Sequence, residues 1–507
     1  MELVLIVIAL ATPWVGAILA AALRPADLGA RAAAWAAGVG TLAAVAAGLA
    51  AALGLTSPNG PADALAHVML ILVLGLSALI QAYALRYLRG DLRQRWFAVW
   101  AGALTGSTAA LVTAQTVVVF TLAWVAAGLS LVLLLATYRA LPQARQGVRR
   151  AAWSFAIADT PLVIAAVVLV IAAGGDARLD DLATVAAALP DTTAVALALL
   201  VVIAALGRSA QMPFHRWLPA TLSTPTPVSA LLHAGVVNAG AILLIRFSPL
   251  VAPAAVAMAM VFAAGAATLV YATAVRLVKT DVKGRLVHST AGQMGFMMMA
   301  VGLGAFAAAV FHLVAHGLYK STLFLSAGTG VAASAEKRAW PTPSPASAKT
   351  TTAAVLIGSA LTIGVLVAGK ALIAPATTPV SLALLAFLAC TAIVAVAAGL
   401  RRRMSLRTVV ASAAVVAALG LSYIAAVGWF EQLIPTPTGT QAPSPWLLVI
   451  PAALLIAIEL MSRSPRFAPA LSSAVYARAL AASTVPTPDP GGAARPRTPS
   501  LTKEVAR

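Results

Sequence analysis

The feature that most constrains this chain is the recurrence of apolar runs long enough to cross a lipid bilayer. A helix needs about 20 consecutive apolar residues to span the hydrocarbon core, and such runs recur from residue 3 to residue 462. Only 10% of the 507 residues are charged, while 61% are hydrophobic, so the chain lacks the polar surface that a water-soluble globule requires. The sequence therefore predicts an all-α, polytopic membrane bundle of about 13 to 15 transmembrane helices.

The net charge of +19 is concentrated in alternate connections between the apolar runs, and the intervening connections are neutral or acidic. The basic clusters are Arg86, Arg89, Arg93 and Arg95, then Arg139, Arg145, Arg149 and Arg150, then Arg276, Lys279, Lys283 and Arg285, and finally Arg401, Arg402, Arg403 and Arg407. By the positive-inside rule, this pattern predicts an N-terminus outside the membrane and a C-terminus in the cytoplasm. It therefore favours a role of the charge in topology, with lipid as the surroundings, over nucleic-acid binding.

Composition also divides the chain. Residues 1–462 are predicted to form the transmembrane domain, whereas residues 463–507 are rich in Pro, Ser, Thr, Gly and Arg and are predicted to be a disordered cytoplasmic tail. The single cysteine, Cys390, lies in an apolar run and excludes a disulfide framework within the chain. Walker A, GxGxxG and HExxH motifs are absent from the sequence, so we expect no cofactor and no catalytic chemistry in this chain.

One polar stretch, residues 211–247, interrupts the apolar pattern. Its motif residues are Pro213, His215, Trp217, Pro219, Pro225 and Pro227, and His233 follows them. Proline removes a backbone donor and breaks a helix, so the stretch predicts a broken helix whose half-helix end lies near the middle of the membrane. Irregular backbone and ionisable groups at that depth line a protein interior or a watery path. We therefore expect the functional site here.

The stretch contains two sequence motifs, PFHRWLP at residues 213–219 and PTPVSALLHA at residues 225–234. They resemble the broken-helix signature of the ion-translocating, antiporter-like subunits of respiratory NADH:quinone oxidoreductase and of Mrp-type cation/proton antiporters. The resemblance implies a bacterial plasma-membrane protein with inverted repeats and an internal axis of protonatable residues.

A second group of protonatable residues follows in the sequence. His312, His316 and Lys320 are spaced i, i+4, i+8 and so share one helical stripe, and with His233 they are candidates for a proton relay. The alternatives are a neutral core histidine at 233, histidines that act as polar contacts between helices, and a lysine that snorkels to an interface. An HxxxH pair can also bind a metal, but no carboxylate or cysteine accompanies it, so no metal site is predicted.

Other charged residues are predicted to take part in the ion path. A lone carboxylate in the sixth apolar run, Asp159, needs a partner, and Arg208 at the end of the seventh run is the natural candidate. By resemblance, Lys283 stands where respiratory subunits carry a lysine of the central axis, although it is equally explained by the positive-inside rule. Lys370 falls where the family has a lysine in a second broken helix.

The chain also departs from the respiratory pattern. Val125 follows Trp124 where the respiratory subunits carry a glutamate, and Arg208 replaces a lysine. Valine holds no proton and arginine does not release one, so the usual Glu/Lys charge switch is absent.

Within the superfamily, AWV at 123–125 and HAGVVNAG at 233–240 resemble the membrane subunits of Dab-type inorganic-carbon accumulation complexes. That resemblance implies a hetero-oligomer with a large soluble zinc protein resembling a β-carbonic anhydrase, which forms bicarbonate while protons or sodium ions enter through the membrane subunit. The alternatives are a proton-pumping subunit of an NADH:quinone oxidoreductase or a hydrogenase, and a Mrp-type Na+/H+ antiporter subunit.

Overall fold

The computed structural model describes residues 1–55, 62–279, 281–328, 330, 347–374, 378–434, 436–464 and 467–483. In these residues the chain forms helices and turns, with one isolated β-bridge between Thr116 and Arg178. The helices, here α1 to α19, are Glu2–Ala22, Ala26–Ala52, Ala64–Tyr87, Gln94–Thr113, Val117–Leu135, Pro142–Ala172, Leu182–Ala187, Asp191–Arg208, Thr226–Ala234, Ala239–Arg246, Ser248–Val251, Ala255–Val278, Val282–Gly302, Phe306–Leu325, Ala348–Ile373, Pro379–Arg402, Leu406–Leu433, Val449–Arg463 and Ala468–Ser483. Single 3-10 turns cover Ala136–Tyr138, Phe214–Trp217, Pro219–Thr221, Val236–Asn238 and Pro445–Leu448. The predicted all-α bundle is confirmed.

Thirteen helical segments of the described chain are long and apolar enough to cross a membrane. Helices α13 and α14 are 21 and 20 residues long but are not among them, because their histidine, lysine and glutamine side chains lower the mean hydropathy. With these two helices the count agrees with the predicted 13 to 15. The least apolar of the long helices are thus the ones that carry Lys283, His312, His316 and Lys320 of the candidate site.

Burial identifies the centre of the bundle. In the most apolar stretch of the segment Thr226–Arg246, which contains α9 and α10, 94% of the residues are buried. In that of Leu406–Leu433, only 11% are buried. Helices α12 and α13 pack closely because Gly265 and Gly295 face each other, and a Cβ on Gly295 would lie 2.6 Å from the Gly265 carbonyl oxygen. The broken helix and the polar helices therefore occupy the interior, and α15 to α18 line its flank.

The basic clusters lie at one end of the bundle, which we call the basic end. Tyr138, after α5, donates a hydrogen bond to Asp91, between α3 and α4. The start of α9 is joined to the end of α3 by the Thr226 to Tyr87 hydrogen bond, and the Tyr83 hydroxyl donates to the Leu325 carbonyl at the end of α14. These contacts agree with the sequence prediction that alternate connections share one side.

The segment after residue 463 differs in part from its prediction. Ala468–Ser483 forms helix α19, which packs against α12 and α18, so this part of the predicted disordered tail is helical. The cause is local composition, because APALSSAVYARALAAS is rich in alanine, the strongest helix former. Residues 484–507 lie outside the described residues.

Candidate functional site

The predicted break in the seventh span is present. Helix α8 ends at Arg208, and the chain continues through two 3-10 turns to Thr226, where α9 begins with Pro225 as its N-cap. Ala210 adopts a positive φ of 51°, a conformation that terminates a helix. The prolines supply no N–H for helical bonding, and this explains why α8 and α9 do not join into one helix.

Neighbouring helices satisfy the polar groups that the break exposes. Trp217 donates its indole N–H to the Gly207 carbonyl at 3.0 Å, and the Met212 N–H donates to the Thr268 hydroxyl at 2.9 Å. A broken helix at membrane depth requires such partners because water is scarce there. The motif residue Trp217 therefore binds the irregular segment to the end of α8 through this hydrogen bond.

Lys283 is anchored to the same segment from the other side. Its Nζ donates to the Leu222 carbonyl at 3.1 Å and to the Thr224 carbonyl at 2.5 Å, immediately before Pro225. These carbonyls cannot accept from the missing proline N–H groups, so the lysine takes that role. Lys283 thus contacts the broken helix at the basic end, and its hydrogen bonds to these two carbonyls lie away from the histidines.

A second break follows His233 and was not predicted. Helix α9 ends at Ala234, Gly235 takes φ −122° and ψ −66°, and a 3-10 turn leads to α10. No proline lies between His233 and Arg246, so the proline pattern does not mark this break. The available signal was Gly235 followed by two valines, since glycine and β-branched residues both weaken a helix.

Asp159 and Arg208 form the ion pair that the sequence predicted. Arg208 Nη2 donates to Asp159 Oδ2 at 2.6 Å, and the Trp124 indole donates to Asp159 Oδ1 at 2.7 Å. The Arg208 side chain is 0% exposed and that of Asp159 is 13% exposed. The guanidinium carbon lies 4.4 Å from the centre of the Trp124 ring and 4.7 Å from that of Phe155, which adds cation–π attraction.

The space for the guanidinium depends on residues that sequence analysis did not select. A Cβ on Gly128 would come within 2.7 Å of Arg208 Nη2, so α5 must carry a glycine opposite the arginine. Val125, at the position of the missing glutamate, is 42% exposed and lies on the outer surface of the helix. The sequence pattern that could have identified Trp124 and Gly128 as neighbours of Arg208 is their i, i+4 spacing, which places them on one face of α5.

The histidine and lysine stripe on α14 lies mostly in the interior. Residues His316 and Lys320 are 3% and 0% exposed, and the rings of His312 and His316 are 5.8 Å apart. Lys320 Nζ donates to the Ser289 hydroxyl on α13 at 2.7 Å. The predicted shared face is therefore confirmed, and Lys320 is buried rather than snorkelled to an interface.

His233 lies against the same face of α14. It is 0% exposed, and its ring stacks on Phe324, one turn beyond Lys320, with centroids 4.2 Å apart. Both ring nitrogens of His233 and of His316 are without a hydrogen-bond partner among the described residues. Among the described residues, His233 therefore lacks the carbonyl partner of the alternative interpretation.

The remaining predicted site residues lie apart from this stripe. His215 makes an edge-to-face contact with Tyr271, with ring centroids 4.9 Å apart. Lys370, on α15, lines a separate cavity of about 510 Å³ together with Glu431 and Tyr423 of α17. Among the described residues, no group of three or more His, Cys, Asp or Glu side chains is placed to hold a metal ion.

An ion pair also joins helices at the end opposite the basic end. Arg246 donates two hydrogen bonds to Asp63, the N-cap of α3, at 2.5 Å and 2.9 Å. Burial raises the pKa of the Asp63 carboxyl, but the hydrogen bonds and charge of Arg246 outweigh it, and the pKa lies below the usual 3.8. This pair fixes the end of the broken α9–α10 unit to the start of α3.

Comparison with known proteins places this architecture in a family. The family model described as NADH:quinone oxidoreductase/Mrp antiporter, TM matches residues 114–340, and that of the N-terminus of NADH-ubiquinone oxidoreductase chain 5 matches residues 61–97. The probable inorganic carbon transporter subunit DabB1 of Halothiobacillus neapolitanus is 38% identical over 53% of this chain and 49% of its own length.

Other relatives and solved structures agree with this placement. Subunit DabB of Bacillus subtilis is 36% identical over 55% of each chain, so the chain spans about half the length of these curated relatives. In three dimensions, the chain resembles one in the Mrp complex from Dietzia sp. DQ12-45-1b, with a TM-score of 0.60, 22% identity and coverage of 95% of this chain and 59% of that one.

A subunit of the archaeal membrane-bound sulfane sulfur reductase has a similar fold, with a TM-score of 0.56, 17% identity and coverage of 95% of this chain and 97% of that one. These two structural matches concern the fold alone. The matched sequence region contains the broken helix, the Asp159–Arg208 pair and the α14 stripe. The chain is therefore a member of the NADH:quinone oxidoreductase/Mrp antiporter family and is similar in sequence to the DabB subunits.

Proposed function

We propose that this chain is the cation-conducting membrane subunit of an inorganic-carbon accumulation complex. It admits protons or sodium ions down their gradient, and this entry drives the conversion of CO2 to bicarbonate by a soluble zinc-containing partner that resembles a β-carbonic anhydrase. The basic end faces the cytoplasm of a bacterial cell, the N-terminus lies outside, and the C-terminus lies inside.

The observation that carries the proposal is the buried stripe of His316 and Lys320 beside His233. Imidazole changes its charge near neutral pH, and buried ring nitrogens without protein partners are suited to exchange protons with water or with one another. Lys320 contributes a cation at the same depth, held by Ser289. Intramembrane ionisable groups of this kind mark ion pathways.

The Asp159–Arg208 pair supports one-way coupling over pumping. Arginine stays protonated in proteins, so the pair acts as a fixed electrostatic element rather than a switch that opens and closes by proton transfer. The similarity to the DabB subunits supports inorganic carbon as the cargo of the complex. Both observations point away from the Glu/Lys mechanism that the resemblance to respiratory subunits implies.

The soluble partner is assigned to the basic end. The connection 138–150 and the start of α13, within residues 276–285, carry the basic side chains there, and a positive surface attracts an acidic partner over a distance. The start of α13 also carries Lys283, which holds the broken segment. A partner that docks at this surface would therefore be connected through Lys283 to the broken segment and to the ion-conducting interior.

The second candidate is an ion-pumping subunit of a redox complex, and the third is a Mrp-type antiporter subunit. The match of residues 114–340 to the family model described as NADH:quinone oxidoreductase/Mrp antiporter, TM supports both. NADH-ubiquinone oxidoreductase chain 5 of Metridium senile is 33% identical over 54% of this chain. Purification partners distinguish the three candidates, because each belongs to a different complex.

Co-expression tests the proposal. The chain, produced together with a candidate partner of the proposed class, a large zinc-containing protein resembling a β-carbonic anhydrase, is expected to copurify with that protein and to let a carbonic-anhydrase-deficient bacterium grow in ordinary air. Neither gene alone should suffice. Growth with one gene alone, growth that persists with an uncoupler, or purification with quinone-reductase or antiporter subunits would overturn the proposal.

A further inference from the structure

Two cavities, each lined by both apolar and charged residues, lie end to end along α14. The first, of about 520 Å³, is lined by Arg276, His288, Gln293, His312, Thr391 and Glu459, among others; we call it the basic-end cavity. The second, of about 510 Å³, is lined by Lys370, Ser381, Tyr423, Glu431, Thr436 and Thr440, among others; we call it the opposite cavity. Each is lined by one carboxylate, Glu459 or Glu431, and by one arginine or lysine, and the basic-end cavity also has two histidines.

The helix positions show that the cavities approach each other from the two ends. Arg276 lies in the last turn of α12 and Glu459 in the last turn but one of α18, both at the basic end. Glu431 lies in the last turn of α17, and Phe306 at the start of α14, at the other end. On α14, Ala308 lines the opposite cavity and His312 lines the basic-end cavity. One helical turn therefore separates them.

An aromatic pair fills the layer between the cavities. Phe296 of α13 stacks on Phe387 of α16 with ring centroids 5.5 Å apart and planes 22° from parallel. Both rings line the basic-end cavity, and Leu384, one turn before Phe387, lines the opposite cavity. Phe387 lies about 12 Å from the start of α16 by helix rise, so the layer is well inside the bundle.

The layer continues into an apolar cluster. Met299, Leu303, Ala308 and Leu384 pack with Phe387 in one buried group, against which Phe296 is packed. Such a constriction excludes water and thereby blocks ions even where polar space lies on both sides. His312 is the titratable group nearest to the layer, because its ring is 5.2 Å from that of Phe296.

We propose that Phe296 and Phe387 form a hydrophobic gate between two water-filled cavities, and that the path through them is a cation route along α14. The proposal rests on the proposed cation conduction and deepens it by adding Glu459 and Glu431 as the carboxylates that attract the cation at either side. Opening would begin with the Phe387 ring turning away from Phe296, because Leu384 and His312 line the two cavities on either side of this pair.

The only cysteine of the sequence provides a direct test, because Cys390 lines the basic-end cavity. A charged, membrane-impermeant methanethiosulfonate reagent, applied to sealed vesicles of either orientation, is expected to modify Cys390 from the basic end alone. In a Cys390→Ala, Leu384→Cys variant, the same reagent should modify residue 384 from the opposite end alone. Neither measurement needs the soluble partner or a cation gradient.

Substitution of the gate completes the test. Phe387→Ala should let the reagent reach Cys390 from both ends and raise passive cation leak by about tenfold, since a hydrophobic constriction then no longer excludes water. Phe387→Leu, which keeps the apolar volume, and Leu388→Ala, which enlarges the basic-end cavity beside the gate, should keep one-sided labelling and so control for folding.

The gate would be overturned if wild-type Cys390 is modified from both ends, from neither end or from the opposite end alone. It would also be overturned if a well-folded Phe387→Ala variant is still labelled from one end only. The outcomes are separable from those of the proposed function. One-sided labelling together with failed growth rescue would refute inorganic-carbon coupling but support the gate. Two-sided labelling together with growth rescue would refute the gate but support inorganic-carbon coupling.

Discussion

Arg208 donates a 2.6 Å hydrogen bond to Asp159 in the interior of the bundle, while the Trp124 indole both donates to the same carboxylate and lies under the guanidinium. This pair occupies the position where the respiratory pattern places a lysine that exchanges its proton. The charge of Arg208 is permanent, so the electrostatic field that it produces at the neighbouring broken helix is constant. Under the proposed function, the control of ion movement is then left to titratable groups elsewhere, such as the histidines and Lys320 of α14.

The first prediction concerns this pair. Asp159→Ala or Arg208→Ala should reduce the free energy of unfolding by about 3 to 5 kcal/mol, because either change leaves a desolvated charge without its partner. Thermal and denaturant unfolding in detergent measure the loss. Gly128→Ala should be similarly harmful, since its Cβ would meet the guanidinium, whereas Arg208→Lys should keep the fold. Wild-type stability in both alanine variants would show that the pair is not desolvated.

The second prediction concerns Lys283. Lys283→Met removes the donor to the carbonyls of Leu222 and Thr224, and each buried carbonyl left without a partner costs about 1 to 3 kcal/mol. The broken segment should become sensitive to limited proteolysis near residue 222. Lys283→Arg should restore most of the protection, and Lys279→Met provides the matched control at the same end. Equal cleavage of all variants would contradict the structural role of Lys283.

The third prediction concerns pH. The folded-state pKa of Asp63 lies below its unfolded value of about 3.8, so the Arg246 pair contributes stability that is fully present above pH about 4 and is lost as the pH falls through the folded pKa. Asp63→Asn should lower stability by about 0.2 to 1 kcal/mol, a modest amount because the Asp63 side chain is 55% exposed.

Melting temperatures of wild type and Asp63→Asn, compared across pH, check the sign of this effect. The difference should be constant from pH 8 to pH 5 and shrink only below about pH 4, where the wild-type carboxylate becomes protonated. A difference that grows as the pH falls would contradict the assignment of the shift to Arg246.

Particular residues show how far sequence reasoning reached. The Asp159–Arg208 contact was predictable because a carboxylate at membrane depth needs a cation, and the stripe on α14 followed from helical periodicity. The role of Trp124, the space at Gly128 and the Lys283 contacts were not predictable, since they depend on which helices pack together. The break at Gly235 escaped notice because no proline marks it, and α19 was missed because its alanine-rich stretch lies next to a proline-rich one.

The fourth prediction concerns the α14 stripe. His316→Ala and Lys320→Ala should each reduce cation-coupled uptake by roughly 100-fold, the scale on which positioned proton-transfer groups act, while expression and partner binding persist. Ser289→Ala removes only the hydroxyl that holds Lys320 and should give an intermediate loss. His215→Ala is the matched histidine control, because His215 lies apart from the stripe against Tyr271. Wild-type uptake in both stripe variants would make the stripe a packing element.

The most direct test of the central claim is the accumulation of labelled inorganic carbon by cells that contain this chain and the proposed zinc-containing partner, followed before and after collapse of the cation gradients. We predict that wild-type cells accumulate the label, that a protonophore or a sodium ionophore abolishes accumulation, and that Lys320→Ala cells with the same amount of complex behave as wild-type cells without a gradient. Accumulation that continues after both gradients are collapsed, or that is unchanged in Lys320→Ala cells, would contradict cation conduction through this chain.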